Sequence, residues 1–301
     1  MLLSGCEKDS SPKVEIPDGK FLNILKFRGV DKNRDGIIST SEAEAIDSLS
    51  VIGLSISDLT GIEAFVNLIK LDCWHNQLTS LDVSNNTALA RLNCGDNQLT
   101  SLDVSNNTAL SWLSCGDNQL TSLDVSNNTA LINLYCSSNQ LTTLDVSNNT
   151  ALRALFCDIN QLTSLDVSNN TDLIWLNCAG NQLTALDISD NTALSWLSCG
   201  DNQLTALDVS NNTALCELFC AGNQLTTLDG LYNTVLCELF CDGNQLTSLD
   251  ISDNASITSL SIMEMPSLYK VCVWEIPIPT EVDVFMDGSP NVYFTTDCSK
   301  L

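Results

Sequence analysis

The sequence predicts a mainly β protein that folds as a solenoid, a stack of coils that all follow the same path. One 21-residue unit recurs nine times without insertion, first at Asn76 and again at residues 97–117, NQLTSLDVSNNTALSWLSCGD. Each copy contains two short apolar patterns, L-x-x-L-x-C and L-x-x-L-x-V, which alternate like strands and end in turn-forming residues. A fixed period of this length is typical of stacked repeats. We therefore expect about nine coils, each with two short strands joined by two tight turns.

A single coil has too few apolar side chains to offset the entropy lost on ordering its backbone. Neighbouring coils must supply the remaining burial and the hydrogen bonds between strands. Equivalent positions of successive coils should therefore lie side by side, about 4.8 Å apart, as in a parallel sheet.

The repeated pattern L-x-x-L-x-C-x-x-N-x-L resembles the leucine-rich repeat, with Cys where many members have Leu. Here it is formed by Leu89, Leu92, Cys94, Asn97 and Leu99. The 21-residue form, with LTxLDVSxNTA, is similar to that of bacterial leucine-rich surface proteins, including internalin-like proteins. The resemblance implies a leucine-rich-repeat solenoid on a bacterial cell surface that binds another molecule through one strand face.

A 12-residue segment near the N-terminus, DKNRDGIISTSE at 31–42, has oxygen-bearing side chains at alternating positions and a glycine, Gly36, at the sixth. This spacing resembles the EF-hand calcium loop, because a hard cation prefers several oxygens that converge from a tight turn. The resemblance implies one structural calcium ion, and the alternative is a helical cap that needs no metal. Ile37 would contribute its backbone carbonyl, and the other ligands would contribute side-chain oxygens. The implied ligands are Asp31, Asn33, Asp35, Ile37, Ser39 and Glu42.

Apolar residues at helical spacing flank this loop. They are Phe21, Ile24 and Leu25 before it and Ala43, Ile46 and Leu49 after it.

The first residues, MLLSGC, resemble the end of a bacterial lipoprotein signal, with Leu3, Ser4 and Gly5 before Cys6. The resemblance implies lipidation of Cys6 and an outer-membrane lipoprotein at the cell surface. Only five residues precede Cys6, whereas a signal needs a basic segment and an apolar stretch. We expect a clipped signal, and the alternatives are a misassigned start or an accidental match.

These patterns divide the chain into four predicted segments. Residues 1–19 are a signal remnant and flexible tether, and residues 20–53 form an EF-hand-like helix-loop-helix. Residues 54–262 form the leucine-rich-repeat solenoid with its N-terminal cap. Residues 263–301 form a β C-terminal cap, in which Asp287-Gly288 predicts a hairpin turn.

The charge balance argues against two classes of partner. The formal net charge is −25, from 12 Lys and Arg against 37 Asp and Glu. We therefore expect no binding to nucleic acid or to anionic lipid, and membrane association only through a lipid anchor. His75 is the only histidine, and no pair of carboxylates is distinguished from the others, so we expect no enzymatic activity.

Nine of the fourteen cysteines occupy one position of the coil and should form an inward column of small buried side chains, with a metal ladder as the alternative. Cys216 and Cys237 occupy an outward position in adjacent coils and could form a disulfide. Cys272 and Cys298 could pin the C-terminal cap. The sequence leaves both pairings open.

Aromatic residues concentrate at outward positions beside the first strand of the coil, and we expect an exposed stripe of rings. Such a patch usually marks an interaction surface, here most simply for a protein. The alternatives are a glycan-binding surface, rings that only stabilise neighbouring strands, and a passive structural protein of the envelope. The rings belong to Trp74, Trp112, Tyr135, Phe156, Trp175, Trp196, Phe219 and Phe240.

Two polar columns should run along the solenoid. The Asp residues of the LTxLD segments need a Ser, Thr, Asn or backbone donor each to offset their mutual repulsion, or else a bound cation. The Asn residues that precede Gln should bond backbone groups of the turn.

Overall fold

The computed structural model describes residues 11–228 and 232–298. The predicted lipidation residue, Cys6, and one member of the Asp column, Asp229, lie outside these ranges. The chain divides into two compact units, Met1–Leu131 and Ile132–Leu301. None of the helices in the described ranges is long and apolar enough to cross a lipid bilayer.

The first unit begins with two helices and continues into four parallel strands. Its helices are α1 (Gly19–Phe27) and α2 (Thr40–Glu44), and its strands are β1 (Ser48–Ser50), β2 (Lys70–Asp72), β3 (Arg91–Asn93) and β4 (Trp112–Ser114). The central residue of each strand pairs in register with that of the next, Leu49 with Leu71, Leu71 with Leu92 and Leu92 with Leu113.

The second unit contains a parallel sheet of eight three-residue strands and a second parallel sheet of three. The larger sheet consists of β5 (Asn133–Tyr135), β6 (Ala154–Phe156), β7 (Trp175–Asn177), β8 (Trp196–Ser198), β9 (Glu217–Phe219), β10 (Glu238–Phe240), β12 (Ser259–Ser261) and β14 (Asp283–Phe285). The smaller consists of β11 (Ser248–Asp250), β13 (Lys270–Cys272) and β15 (Tyr293–Thr295).

The described residues form a mainly β solenoid of about twelve turns, four in the first unit and eight in the second, whereas the repeats predicted about nine coils. The difference arises because strands continue beyond the regular array at both ends. Ser48 of β1 pairs with Lys70 of β2, and Ser259 of β12 pairs with Asp283 of β14, at spacings that differ from the repeat. The predicted stacking of equivalent positions is confirmed within each unit, as in the register of Leu155 against Leu176.

The expectation of two strands per coil is wrong for most of the array. Within 11–228 and 232–298 a second strand forms only toward the C-terminus, in β11, β13 and β15, and an isolated bridge joins Asp82 to Asp103. In this half of the coil side chains share the hydrogen bonding between coils with the backbone, in which the N–H of Gln98 donates to the carbonyl of Leu78 at 2.9 Å. The N–H of Leu78 donates to Oδ1 of Asn97 in the next coil, at 3.0 Å. The leucines of this half are nevertheless buried.

The hairpin predicted around Gly288 is also wrong. Strand β14 pairs in parallel with β12, and β15 pairs in parallel with β13 of the other sheet. The turn at Gly288, with φ of 78°, therefore continues the solenoid path from one sheet to the other. Both sheets offer a free edge at this end, so each takes one strand and the two strands do not pair with each other.

The helical module is joined to the solenoid through Asp18 and a small apolar core. One oxygen of Asp18 accepts the N–H groups of Lys20 and Phe21 and caps α1, while the other accepts the N–H and hydroxyl of Ser57. Phe21 is buried against Phe65, with ring centroids 6.5 Å apart. Burial raises the pKa of Asp18, but these hydrogen bonds outweigh it and hold the pKa below its usual value.

The second predicted helix is shorter than its apolar spacing indicated. Helix α2 ends at Glu44, and Leu49 lies instead at the centre of β1, where it pairs with Leu71. Sheet pairing therefore overrides the helical spacing of Leu49.

Candidate functional sites

The 31–42 loop is organised by hydrogen bonds from its backbone to its own acidic side chains. Oδ2 of Asp31 accepts the N–H of Gly36 at 3.1 Å, and Oδ1 of Asp35 accepts the N–H of Ile37 at 3.0 Å. Gly36 has φ of 88°, a conformation that favours glycine and permits the sharp turn. Oδ1 of Asn33 accepts the N–H of Asp35 at 2.9 Å.

Glu42 closes the loop from the first turn of α2. Ser39 caps this helix and forms a reciprocal capping box with Glu42. The Glu42 carboxylate also accepts the N–H of Lys32 at 2.8 Å, across the loop. Burial raises the pKa of Glu42, but the donors on Ser39, Lys32 and Asn33 together hold it below its usual value.

One oxygen of the loop has no hydrogen-bond donor. Asp31 is buried, and its Oδ1 atom has no partner within the described part of the chain. A buried carboxylate oxygen without a donor is costly and needs an explanation such as an ion. The loop carboxylates do not form a group within 4.8 Å of one another among the described residues, because N–H donors hold them separately.

The N-terminal segment fixes this loop from outside. The N–H of Val14 donates to the carbonyl of Ile38 at 2.8 Å, and the N–H of Thr40 donates to the carbonyl of Pro12 at 2.9 Å. Lys13 and Ser39 form an antiparallel bridge. These contacts favour a static role for the loop.

The eight predicted rings lie on the outward side but do not share one position. In each strand the central Leu is buried and the first and third residues face outward. Tyr135, Phe156, Phe219 and Phe240 are third residues, whereas Trp112, Trp175 and Trp196 are first residues. Trp74 lies two residues beyond the end of β2.

In the first unit the rings contact polar neighbours. The guanidinium of Arg91 lies over the ring of Trp112, 3.8 Å from its centroid, in a cation–π contact. Trp74 lies beside His75, with centroids 5.2 Å apart, and Nδ1 of His75 bonds the carboxylate of Asp96. His75 is therefore an exposed residue that pairs with Asp96 of the next coil.

In the second unit the rings form a continuous series of contacts, which we call the ring face: Tyr135, Phe156, Trp196, Phe219 and Phe240. Successive centroids are 5.1, 5.8, 5.7 and 5.1 Å apart. The rings of Phe219 and Phe240 are nearly parallel, at 9°. Offset contacts of this kind stabilise neighbouring strands.

The predicted stripe of exposed rings is exposed only in part. Trp74 and Trp175 are each 43% exposed, whereas the other six rings are only partly exposed. In the ring face the aromatic side chains cover one another, which explains the difference. Enough ring surface remains accessible to contact a ligand, and the stacking makes the surface rigid.

Both cysteine pairings that the sequence left open are disulfides. Cys216 is bonded to Cys237, with Cα atoms 5.0 Å apart, directly before β9 and β10. Cys272 of β13 is bonded to Cys298.

The predicted inward cysteine column is confirmed. Burial raises the pKa of Cys115, Cys178 and Cys220 to about 12, so these thiols stay protonated and unreactive. In the described ranges, side chains that could together bind a metal ion are grouped at Asp250, Cys272 and Cys298 and not along the cysteine column. Both sulfurs of that group form the disulfide. All nine thiols are buried: Cys73, Cys94, Cys115, Cys136, Cys157, Cys178, Cys199, Cys220 and Cys241.

The predicted donors for the Asp column are also present. The N–H of Ser105 donates to Asp103 at 2.9 Å, and the same Asp-x-Ser turn recurs at Asp166 and Asp187. The Ser hydroxyl and N–H lower the pKa of these carboxylates below the usual value. The Asn residues before Gln bond turn carbonyls as expected, as Asn97 does to Cys94 and Gly95.

Sequence reasoning missed a second Asn column, which is fully buried. Nδ2 of Asn107 donates to the carbonyls of Val83 and Asn86 in the preceding coil, at 3.0 and 2.9 Å. The same pair of bonds recurs at Asn170 and Asn212. The signal was the Asn that all nine copies keep at this position, followed by Thr in eight of them, which resembled ordinary turn composition.

Comparisons with known proteins give two partial matches to the sequence of the chain. A family model described as the LVIVD repeat matches residues 196–220. The chain is 43% identical over 72 residues to Internalin J of Listeria monocytogenes serotype 4b (strain F2365), a match that spans 24% of this chain and 8% of the relative.

Two solved structures are similar to most of the chain. The functional domain of InlJ from Listeria monocytogenes, which includes a cysteine ladder, has a TM-score of 0.81 and 39% identity, covering 85% of this chain and 56% of that one. The leucine-rich-repeat ectodomain of the receptor kinase GASSHO1/SCHENGEN3 from Arabidopsis thaliana, in complex with CASPARIAN STRIP INTEGRITY FACTOR 2, has a TM-score of 0.68 and 20% identity, covering 81% and 35%. The chain thus contains a leucine-rich-repeat solenoid with a cysteine ladder, like that of Internalin J.

Proposed function

We propose that this protein is a non-enzymatic binding scaffold of the bacterial cell surface, which contacts a protein partner through the outward face of its strands. The observation that carries the proposal is the ring face, a rigid and partly exposed series of stacked aromatic side chains. Aromatic anchors on a rigid support are typical of binding surfaces. The similarity to leucine-rich-repeat structures, one of them a complex with a protein ligand, supports the same reading.

A glycan ligand is the second candidate, because the exposed indoles of Trp74 and Trp175 could also stack on sugar rings. The carboxylates of Glu217 and Glu238 could supply acceptors beside such a ligand. The third candidate is a passive structural protein, in which the stacked rings only hold the strands together.

Substitution of Trp112, Trp175 and Trp196 together by Ala separates these three functions. Binding to arrays of proteins and of glycans should show which class of ligand is lost. A protein-binding scaffold predicts loss of protein ligands only, by about tenfold or more in affinity. A matched control replaces three exposed tyrosines, Tyr232, Tyr269 and Tyr293, and should bind normally. Absence of ligands on both arrays for the wild type would support the passive role. Unchanged binding by the Trp variant would contradict the outward strand face as the binding surface.

We further propose that the 31–42 loop binds one structural calcium ion. The supporting observation is the buried Oδ1 of Asp31, which lacks a donor in the described residues. The ion would be held by oxygens of Asp31, Asn33, Asp35, Ile37, Ser39 and Glu42, and its charge would offset the carboxylates of the loop. It would replace part of the hydrogen bonding that now holds Asp35 and Glu42.

Calcium should raise the melting temperature of the protein. The effect should reach half its maximum at roughly 10⁻⁴–10⁻³ M calcium, the range of extracellular modules. Glu42→Gln should abolish it, whereas Glu44→Gln, an exposed neighbour on the same helix, should retain it. Equal melting temperatures in chelator and in millimolar calcium would contradict the proposal.

We also propose anchoring through lipidated Cys6 to the outer membrane. The support is the lipobox-like LSGC segment. Labelling with a fatty-acid analogue in cells should mark the wild type and not Cys6→Ser. Equal labelling of the two would contradict the anchor.

A further inference from the structure

Strands β9 and β10 carry the same outward sequence and place equal charges side by side. Each strand is the ELF part of a CELFC segment, which begins at Cys216 and again at Cys237. Glu217 is the register partner of Glu238, and Phe219 is the register partner of Phe240. Like charges directly opposite on neighbouring strands are destabilising.

The strands are held together against this repulsion on both sides of the carboxylates. The Cys216–Cys237 disulfide precedes the two Glu residues, and the stacked rings of Phe219 and Phe240 follow them, 5.1 Å apart. Both carboxylates are partly buried, and neither has a hydrogen-bond or ion-pair partner within 11–228 and 232–298. The fold therefore maintains two adjacent acidic groups that no cation of the described chain neutralises.

Aromatic rings surround this acidic pair. Trp196 is the register partner of Glu217 on the other side, and its ring contacts Phe219 at 5.7 Å. Ring faces attract organic cations, and a guanidinium can also donate paired hydrogen bonds to carboxylates. A metal ion fits less well, because a hard cation needs more oxygens than two carboxylates offer. The contact of Arg91 with Trp112, at 3.8 Å, is an example of this chemistry in the same protein.

We infer that the outward surface of β8, β9 and β10 binds an arginine-bearing segment of the partner protein. The guanidinium pairs with the carboxylates of Glu217 and Glu238 and stacks on Trp196 or Phe219. The net charge of −25 attracts such a segment from a distance and repels an acidic one. This inference rests on the proposed function, because it assigns the kind of partner that the ring face takes.

The experiment is a selection of displayed random peptides on four forms of the intact protein. They are the wild type, Glu217→Gln with Glu238→Gln, Trp196→Ala, and a charge-matched control, Glu275→Gln with Glu281→Gln, which alters two exposed carboxylates elsewhere in the second unit. Wild type and control should enrich the same arginine-containing peptides. The Glu217 and Glu238 double variant should not.

A selected peptide is then titrated against each form in low and high salt. Affinity for the double variant should fall about ten- to hundredfold, the usual effect of losing charge-assisted hydrogen bonds. A peptide with citrulline in place of arginine should lose a similar factor on the wild type. Binding to the wild type should weaken as salt rises.

The outcomes distinguish this inference from the proposal it rests on. If Trp196→Ala loses the peptides and the double variant keeps them, the ring face binds protein but its partner is not cationic, and the inference is overturned. Recovery of neutral or acidic peptides, or competition by calcium in place of arginine, overturns it as well. If no variant alters binding, both the inference and the proposed function fail.

Discussion

At the scale of single residues, Ile159 occupies a turn position whose backbone conformation suits glycine better than isoleucine. It is 61% exposed and has φ of 52°, in the left-handed region that disfavours β-branched side chains. The equivalent residues of three other coils are Gly180, Gly222 and Gly243, which accept this conformation without strain.

Ile159→Gly should therefore stabilise the protein, by about 0.5–1 kcal/mol, since relief of left-handed strain exceeds the entropy that glycine adds to the unfolded chain. Denaturant unfolding measures the change. Ile132→Gly is the control, because Ile132 is also exposed but lacks a positive φ, and it should lower stability. A loss of stability in Ile159→Gly would mean that this residue does not adopt the left-handed conformation.

Residue roles were predictable where the chemistry was local. A nearby donor for each Asp and the burial of the thiols were predicted from repeated spacing and polarity, although the Asp-x-Ser turn itself was one of several open choices of donor. The buried column that includes Asn107 does not, because its carbonyl partners, Val83 and Asn86, belong to the preceding coil. An Asn followed by Thr favours a turn in any sequence, so its burial becomes evident only when the coils are stacked.

At the scale of elements, the Asp-x-Ser turns make stability depend on acid. Their hydrogen bonds lower the folded-state pKa of Asp145, Asp166, Asp187 and Asp208 below the unfolded value. A lowered folded pKa gives stability that is fully present above the unfolded pKa of about 3.9 and is lost as pH falls through the folded value. The melting temperature should therefore drop steeply below about pH 4.

Replacing Asp145, Asp166 and Asp187 by Asn should make this acid-induced drop shallower, since three of the groups no longer bind protons. The control replaces Asp172, Asp190 and Asp253, which are exposed carboxylates outside these turns, and should keep the steep drop. Melting curves from pH 2 to pH 7 measure the difference. Identical profiles for the two triple variants would contradict the role of the turns.

Strand number and pairing were the least predictable features of the elements. The second half-coil has the alternation of a strand, but the Asn97 side chain accepts the N–H of Leu78, and the backbone keeps the bond from Gln98 to Leu78. Alternation reports which side chains are inward and not which groups accept the N–H. Alternation also does not show which strand is the pairing partner. The segment around Gly288 therefore resembled a hairpin, although its two strands join different sheets.

At the scale of the whole molecule, the repeat period was sufficient to predict the solenoid, because each coil can be buried only by its neighbours. The period could not predict the extra turns at the ends, where the spacing changes but Leu49 and Val284 keep the strand position. It also could not predict how far the rings cover one another. That depends on which outward position each ring takes in successive strands.

The central claim is that the outward face of the strands is the surface that meets the partner. A photo-reactive amino acid placed at Trp175 tests it most directly, with one placed at Asp166, on the Asp column of the same coil, as the comparison. Both sites are exposed. With cell-surface protein extracts, irradiation should give a defined cross-linked product from position 175 and none from position 166. A product from position 166 alone, or equal products from both, would contradict the claim.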